Sequence, residues 1–94
     1  MDIEKIIKEK KGTIVDVRTP EEFRSGNAEG TINIPLREIN ERMEELKQLK
    51  QPLVLCCASR GRSAQAQAFL SQQGIECCNG GSWIDVNYYQ NQIV

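Results

Sequence analysis

The chain has 94 residues, enough for one hydrophobic core and too few for two, so we expect a single domain over residues 1–94. Its 39% hydrophobic and 27% charged residues and its net charge of −1 argue against a nucleic-acid-binding or membrane-surface protein. No apolar run approaches the ~20 residues that cross a bilayer, and the charged N-terminus is unlike a secretory signal, which predicts a cytoplasmic protein with reduced thiols.

Short β-branched runs alternate with helical patterns, an order typical of a parallel sheet covered by helices. Near the N-terminus, Gly12 is expected to stop a helix that Asp2 caps. Thr19, Pro20 and Glu22 have the spacing of a capping box, which predicts the start of another short helix. The first half of the chain therefore predicts a helix over 2–10, a strand over 13–17, a helix from 20 to about 26 and a strand over 31–35.

The second half of the chain contains the strongest periodic patterns. Ile39, Met43, Leu46 and Leu49 form one helical stripe, whereas the run 53–57 is apolar at every position, as expected for a strand buried on both faces. The elements predicted there are a helix over 37–49, a strand over 53–57, a helix over 64–73, a strand over 75–78, a turn over 79–81 and a short helix from 83.

The segment between Cys57 and Arg62 carries the features that activate a thiol. It follows a buried strand and leads into a helix, so loop amides and the positive end of the helix can face one point. Arg60 and Arg62 add positive charge, and all three effects favour a thiolate over a thiol. The structural alternative is that Cys57 is a small buried hydrophobe beside two solvated arginines.

Histidine is absent from the chain, whereas four cysteines are present. This excludes a cysteine–histidine protease and any mechanism that uses imidazole as a base or a metal ligand. A nucleophilic cysteine would therefore depend on backbone dipoles and cationic side chains for its activation.

Three segments and a late Gly80-Gly81 pair resemble the rhodanese family. The loop Cys57-Ala-Ser-Arg-Gly-Arg-Ser63 resembles the family's active-site loop, which has a cysteine, two residues, a glycine, one residue, an arginine and a serine. The segments 16–23 and 26–35 resemble its Asp-Val-Arg-x-Pro-x-Glu-Phe/Tyr and Gly-His-Ile-x-Gly-Ala-x-Asn-Ile-Pro motifs. The resemblance covers about residues 13–82 in the family's order, and the motifs are specific in combination.

The resemblance implies an α/β fold of the rhodanese-like three-layer α/β/α type, with a central parallel sheet of four to five strands. It also implies a sulfurtransferase that moves sulfane sulfur from a small anionic donor such as thiosulfate to cyanide or a thiol, through a persulfide and without a cofactor or metal. By position Cys57 is the catalytic residue, and the substrate-binding residues are Ala58, Ser59, Arg60, Gly61, Arg62 and Ser63. Asp16, Arg18 and Glu22 are implied to be structural, tying the first strand to the capped helix.

The chain departs from the family pattern at several positions. Asn27 replaces a frequent histidine, and Asp85 stands where an aromatic residue is usual, with Trp83 displaced. In the loop, Arg60 and Gly61 occupy the places of the usual glycine and of a variable residue. If the third loop position requires an unusual backbone angle, we expect strain at Arg60.

The sequence allows other interpretations of the four cysteines. Counted from Cys56, the spacing Cys-x5-Arg is that of tyrosine and dual-specificity phosphatases, so a cysteine-based phosphatase or arsenate reductase is an alternative. Adjacent cysteines point to opposite faces of a strand, which argues against a zinc site. Cys77 or Cys78 could resolve or accept the persulfide if its strand neighbours that of Cys57.

A further alternative is a non-catalytic interaction or regulatory module, because rhodanese folds also serve as regulatory domains. For the enzyme, the expected partners are the sulfur donor, a cyanide or thiol acceptor and, in addition, a partner-protein thiol. We expect a monomer or a weak homodimer that pairs across an exposed sheet edge.

Overall fold

The structure is a computed structural model and describes residues 2–92. Five α-helices and four β-strands alternate along the described chain, with one 3-10 turn at Leu36–Glu38. Their bounds are α1 Ile3–Lys8, β1 Thr13–Asp16, α2 Pro20–Ser25, β2 Ile32–Asn33, α3 Met43–Gln48, β3 Leu53–Cys57, α4 Gly61–Gln72, β4 Cys77–Ser82 and α5 Trp83–Gln90.

The four strands form one parallel sheet in the order β2-β1-β3-β4, which confirms the α/β prediction. The centre of the sheet is β3, whose five residues are all buried, as its uninterrupted apolar sequence predicts. Because all strands run in the same direction, their carboxyl ends meet at one edge of the sheet. Cys57 is the last residue of β3 and lies at that edge.

Two hydrophobic cores cover the two faces of the sheet, which gives the three layers. The first core contains Leu46 of α3 and Ala66 and Leu70 of α4, and the second contains Ile7 of α1 and Val86 of α5. Consecutive strand residues point to opposite faces, so each cysteine pair is divided between the cores. Cys57 and Cys77 belong to the first core, whereas Cys56 and Cys78 belong to the second.

The predicted helix over 37–49 is wrong as a continuous element. The segment begins as the 3-10 turn, passes through a hydrogen-bonded turn around Asn40, and becomes helical only at Met43. Asparagine is a weak helix former because its side chain competes for backbone hydrogen bonds. The predicted stripe nevertheless faces the core, since Ile39 and Leu46 are buried there and Met43 packs against them.

The first helix also ends differently from the prediction. Asp2 accepts the predicted capping hydrogen bond from the Lys5 amide at 3.1 Å, but the left-handed residue after the helix is Lys10, with φ of 53°. Gly12 has another role, because a Cβ there would lie 2.0 Å from the Pro52 carbonyl oxygen. Glycine at this position therefore permits the backbone before β1 to approach the start of β3.

The last strand is longer than predicted, because residues 79–81 continue β4 instead of forming a separate turn. Leu55 pairs with Asn79 and Cys56 with Gly81, so Gly80 is an extra residue and forms a β-bulge. A Cβ on Gly80 would lie 2.7 Å from Cγ1 of Val54. The bulge lies two residues before Ser82, which pairs with Cys57 at the carboxyl end of the sheet.

Candidate active site

A buried ion pair fixes the end of β1 beside the site. Arg18 Nη2 lies 2.7 Å from Asp16 Oδ2, and the two side chains are almost fully buried. The same guanidinium donates to the carbonyl oxygens of Glu22 and Gly26 at 3.2 and 2.6 Å, and its Cζ lies 5.0 Å from the Trp83 ring centroid. Asp16 and Arg18 thus connect the first strand to both ends of α2, as the motif implied.

Glu22 joins the first motif to the loop. Thr19 Oγ1 accepts from the Glu22 amide, and the Glu22 carboxylate accepts from the Thr19 amide at 3.0 Å, which completes the predicted capping box. The carboxylate also accepts from Arg62 Nη1 at 2.6 Å and Nη2 at 2.9 Å. The hydrogen bonds from Arg62, followed by those from Thr19, lower the pKa of Glu22 to about 2.

The Cys57 sulfur lies beneath the loop that leads into α4. Its Sγ is 3.3 Å from Ser63 Oγ, and the Ser63 amide donates to it from 3.4 Å. Cys57 itself is 0% exposed, so it is buried, as the structural alternative expects, while the Ser63 amide and hydroxyl face its sulfur, as a nucleophile requires.

Burial is the largest influence on the pKa of the Cys57 thiol and raises it, but hydrogen bonds outweigh this effect. The Ser63 hydroxyl, when its proton points to the sulfur, and the amides of Ser63, Ser59 and Arg60 bring the pKa below its ordinary value. The adjacent Cys56 behaves in the opposite way, because burial and the Asp16 carboxylate raise its pKa. The two neighbouring thiols therefore differ in character, and only Cys57 faces the loop.

The third loop position does require an unusual backbone angle. Arg60 has φ of 77° and ψ of −21°, in the left-handed region, and precedes the first residue of α4. A side chain in that region costs about 1–2 kcal/mol relative to glycine. The expected strain at Arg60 is confirmed, while the neighbouring Gly61 occupies open space in which a Cβ would meet nothing within 4 Å.

The two loop arginines differ in their surroundings. Both terminal nitrogens of Arg62 are bound to Glu22, so the carboxylate balances part of its charge. The Arg60 side chain lies over Gly81, where an added Cβ would lie 3.3 Å from Arg60 Nη1 and 3.2 Å from Asp85 Oδ2. Arg60 is exposed, and it forms no ion pair within residues 2–92.

Asn79 belongs to the site although the sequence predicts a turn there. Its Oδ1 accepts from Ser63 Oγ at 2.7 Å and from the Gly81 amide at 2.9 Å, while its Nδ2 donates to the Arg60 carbonyl at 3.3 Å. No sequence motif pointed to this residue. The signal would have been the parallel pairing of β3 with β4, which brings Asn79 and Gly81 beside the end of β3.

Cys77 lies on the same face of the sheet as Cys57 but at the other end of the strand. The strands are neighbours, yet Cys77 pairs with Leu53, four residues before Cys57. At about 3.3 Å per residue this offset is about 13 Å, beyond the reach of a disulfide. None of the four cysteines forms a disulfide, and residues 2–92 hold no cluster of three or more potential metal-ligating side chains.

A cavity of about 260 Å³ opens beside the loop. It is lined by Arg62 and by Val17, which shares the first core with Cys57. The complete lining is Val17, Thr19, Pro35, Leu36, Arg37 and Arg62. Its largely aliphatic lining, with two arginines, suits a ligand that has both an apolar part and negative charge.

A cysteine loop at the carboxyl ends of parallel strands agrees with the rhodanese resemblance. The family of rhodanese-like domains matches residues 2–85 of this chain. The chain belongs to the rhodanese-like family. A thiosulfate sulfurtransferase of Escherichia coli K12, PspE, is 39% identical over 61 residues, covering 64% of this chain and 59% of that protein. The chain spans about half to three-fifths of the length of the first curated relatives it matches.

Solved rhodanese structures have the same fold. A rhodanese-related protein from Thermoplasma volcanium has a TM-score of 0.78 and 33% identity, covering 98% of this chain and 89% of that one. A rhodanese with anions from E. coli has a TM-score of 0.70 and 33% identity, covering 78% of this chain and 88% of that one. Within residues 2–92, no helix is long and apolar enough to cross a membrane.

Proposed function

We propose that the protein is a rhodanese-type sulfurtransferase that carries a transferable sulfur on Cys57. The Cys57 thiolate attacks the outer sulfur of an anionic donor such as thiosulfate. The S–S bond of the donor breaks, sulfite leaves with the electron pair, and Cys57 becomes a persulfide. An acceptor thiolate or cyanide then attacks the outer sulfur, which leaves on the acceptor and regenerates the Cys57 thiolate.

The observation that carries this proposal is the position of the Cys57 sulfur at the start of α4, where the Ser63 amide donates to it from 3.4 Å. Against the effect of burial, the amides of Ser59 and Arg60 also lower the pKa of this thiol. Oriented N–H dipoles in a site shielded from water stabilise negative sulfur without reorganising during the reaction. The thiolate and the persulfide anion that replaces it both benefit from this arrangement.

We assign different roles to the two loop arginines. Arg62, bound by Glu22, holds the first turn of α4 and adds a positive field to which the Cys57 charge couples. Arg60 is exposed and unpaired within the described chain, so its guanidinium is the group that meets the anionic donor. Ala58 and Gly61, which are also exposed, leave the mouth of the loop open.

The named relatives support this chemistry. One curated relative is a thiosulfate sulfurtransferase, and one solved neighbour is a rhodanese with anions. We propose a small thiol or a partner-protein thiol as the acceptor, received in the cavity beside Arg62. The cavity supports this assignment because the amide of Val17, which lines it, donates to the Cys56 carbonyl oxygen at 2.9 Å, next to Cys57.

The test is the intact mass of the protein after incubation with thiosulfate. We expect a gain of one sulfur that cyanide removes, and no gain in Cys57→Ser. The matched control is Cys56→Ala, which changes the adjacent thiol on the opposite face and should retain the adduct. Failure of thiosulfate, polysulfide and glutathione persulfide to form an adduct would overturn the proposal and favour an interaction module.

The phosphatase alternative needs Cys56 as its nucleophile. Cys56 is buried in the second core beside Val54 and Cys78, away from the loop, and its pKa is raised. The spacing Cys-x5-Arg is therefore present in the sequence without the corresponding site. Hydrolysis of an aryl phosphate that persists in Cys57→Ser and disappears in Cys56→Ala would support the phosphatase; we expect no such activity.

A further inference from the structure

The Ser63 hydroxyl has a single proton to donate and three acceptors within hydrogen-bond distance. These are Asn79 Oδ1 at 2.7 Å, the Arg60 carbonyl oxygen at 3.0 Å and Cys57 Sγ at 3.3 Å. The Arg60 oxygen already accepts from the Ala64 amide at 2.9 Å. Asn79 is therefore the principal competitor of the sulfur for this proton.

The orientation of the Asn79 side chain follows from its other contacts. The Gly81 amide is a donor, so the atom 2.9 Å away must be the oxygen, and the nitrogen then faces the Arg60 carbonyl. An amide oxygen only accepts, so the 2.7 Å contact requires that Ser63 donate. With its proton on Asn79, Ser63 presents a lone pair to Cys57, which suits a thiol and opposes a thiolate.

We propose that Asn79 is a positioning residue that sets the direction of the Ser63 hydroxyl proton and thereby the charge state of the Cys57 sulfur. When the sulfur is a thiol, its proton is donated to Ser63 Oγ, whose own proton is donated to Asn79. When the sulfur is an anion, Ser63 must turn its proton away from Asn79 to stabilise it. Asn79 thus favours the neutral sulfur and limits how much thiolate accumulates.

The charged groups near Cys57 do not alone set the charge state of its sulfur. Arg62 of α4 is the cation whose charge couples with Cys57, and it is bound by Glu22 of α2. Asp16, the last residue of β1, and Arg18, two residues after it, act on Cys56, on the opposite face of β3. Asn79, which β4 contributes, is neutral, so its influence on Cys57 passes through hydrogen bonds.

Two substitutions should move the titration midpoint of Cys57 in opposite directions. Asn79→Leu removes the competing acceptor, so Ser63 turns to the sulfur and the midpoint falls by about half a pKa unit or more, the effect of one hydrogen bond. Asn79→Asp supplies a stronger, charged acceptor, so the midpoint rises. The measurement is the ultraviolet absorbance of the thiolate against pH, after subtraction of the Cys57→Ser titration.

The decisive control repeats both substitutions in a Ser63→Ala background. There Asn79→Leu should leave the midpoint unchanged, and Asn79→Asp should retain only the smaller effect of its charge. Equal shifts with and without Ser63, or shifts of the same sign for both variants, would overturn the proposal. If Asn79→Leu fails to fold, the excess shift of Asn79→Asp in the presence of Ser63 decides alone.

This inference deepens the proposed function, since it concerns the thiol that would carry the sulfur. Its test nevertheless reads protonation and needs no sulfur transfer. A protein that forms no persulfide but shows opposite midpoint shifts would refute the proposed function and leave the role of Asn79 standing. A protein that forms the persulfide, but whose midpoint shifts are the same with and without Ser63, would support the proposed function and refute the role of Asn79.

Discussion

Glu22 accepts hydrogen bonds from both terminal nitrogens of Arg62, at 2.6 and 2.9 Å, although the two residues are forty positions apart. The contact joins the first turn of α2 to the first turn of α4. It therefore connects the Asp-Val-Arg motif with the cysteine loop, two segments that the sequence presents separately. Both side chains are about a third exposed, so water weakens the ion pair without replacing it.

The Glu22–Arg62 pair should make stability depend on pH in the acid range. The pKa of Glu22 is about 2 in the fold against 4.5 ordinarily, so its contribution is fully present above about pH 4.5 and is lost as the pH falls toward 2. Glu22→Gln keeps a capping side chain but removes the charge, at a cost of about 1 kcal/mol or less for an exposed pair. Denaturant unfolding of both proteins from neutral pH to pH 2 measures this; curves that stay parallel throughout would contradict it.

Arg60→Gly should stabilise the fold because it removes strain from a left-handed residue. The expected gain is about 1 kcal/mol, measured by denaturant unfolding. Arg60→Ala is the matched control, since it removes the guanidinium but retains the strain, and it should show no such gain. Both variants should raise the KM for thiosulfate to a similar extent, because both lack the guanidinium. A gain in stability in Arg60→Gly alone would then separate the backbone strain at Arg60 from its role in donor binding.

Substitution by alanine should change the stability of the fold in opposite directions at Gly80, in the bulge of β4, and at Gly61, the first residue of α4. Gly80→Ala places a Cβ 2.7 Å from Val54 Cγ1 and 3.2 Å from Val86 Cγ2, and overpacking of this kind costs about 1–3 kcal/mol. Gly61→Ala adds a methyl group in open space at the start of α4, so it should be neutral or gain up to about 1 kcal/mol. An unchanged thermal stability in Gly80→Ala would show that the bulge is not tightly packed, and a loss in Gly61→Ala would show that the start of α4 is not open.

Oxidation should leave Cys57 and Cys77 without an intramolecular disulfide. The offset of four residues along β3 places their Cα atoms about 13 Å apart, whereas a disulfide needs less than about 7 Å. Peptide mapping after treatment with a mild oxidant under native conditions tests this expectation. A Cys57–Cys77 peptide in that map would show that β4 pairs in another register.

The sequence was informative wherever local chemistry decided the outcome. The capping box at Thr19 and Glu22, the buried strand 53–57 and the division of Cys56 and Cys57 between two faces follow from short-range rules, and the structure contains all of them. The strain at Arg60 was also expected, because the family places glycine there. Each of these features depends on a few neighbouring residues.

The predictions that failed depended on distant partners. Residues 79–81 look like a turn because they are Asn-Gly-Gly, but pairing with β3 extends them into a bulged strand. The stripe from Ile39 to Leu49 was recognised correctly, yet the turn at Asn40 interrupts the helix that it predicted. Register along the sheet also decided that Cys77 lies far from Cys57.

By itself, the sequence determined the family, the α/β class and that Cys56 and Cys57 face opposite sides of their strand, because hydrophobic periodicity and motif order are properties of the linear chain. Only the tertiary structure decided that Glu22 holds Arg62, that Arg60 stays unpaired among the described residues, and that Asn79 reaches Ser63. These contacts join residues 16 to 40 positions apart. Parallel strands bring such segments together at one edge of the sheet, and no local pattern in the chain records which side chains then meet.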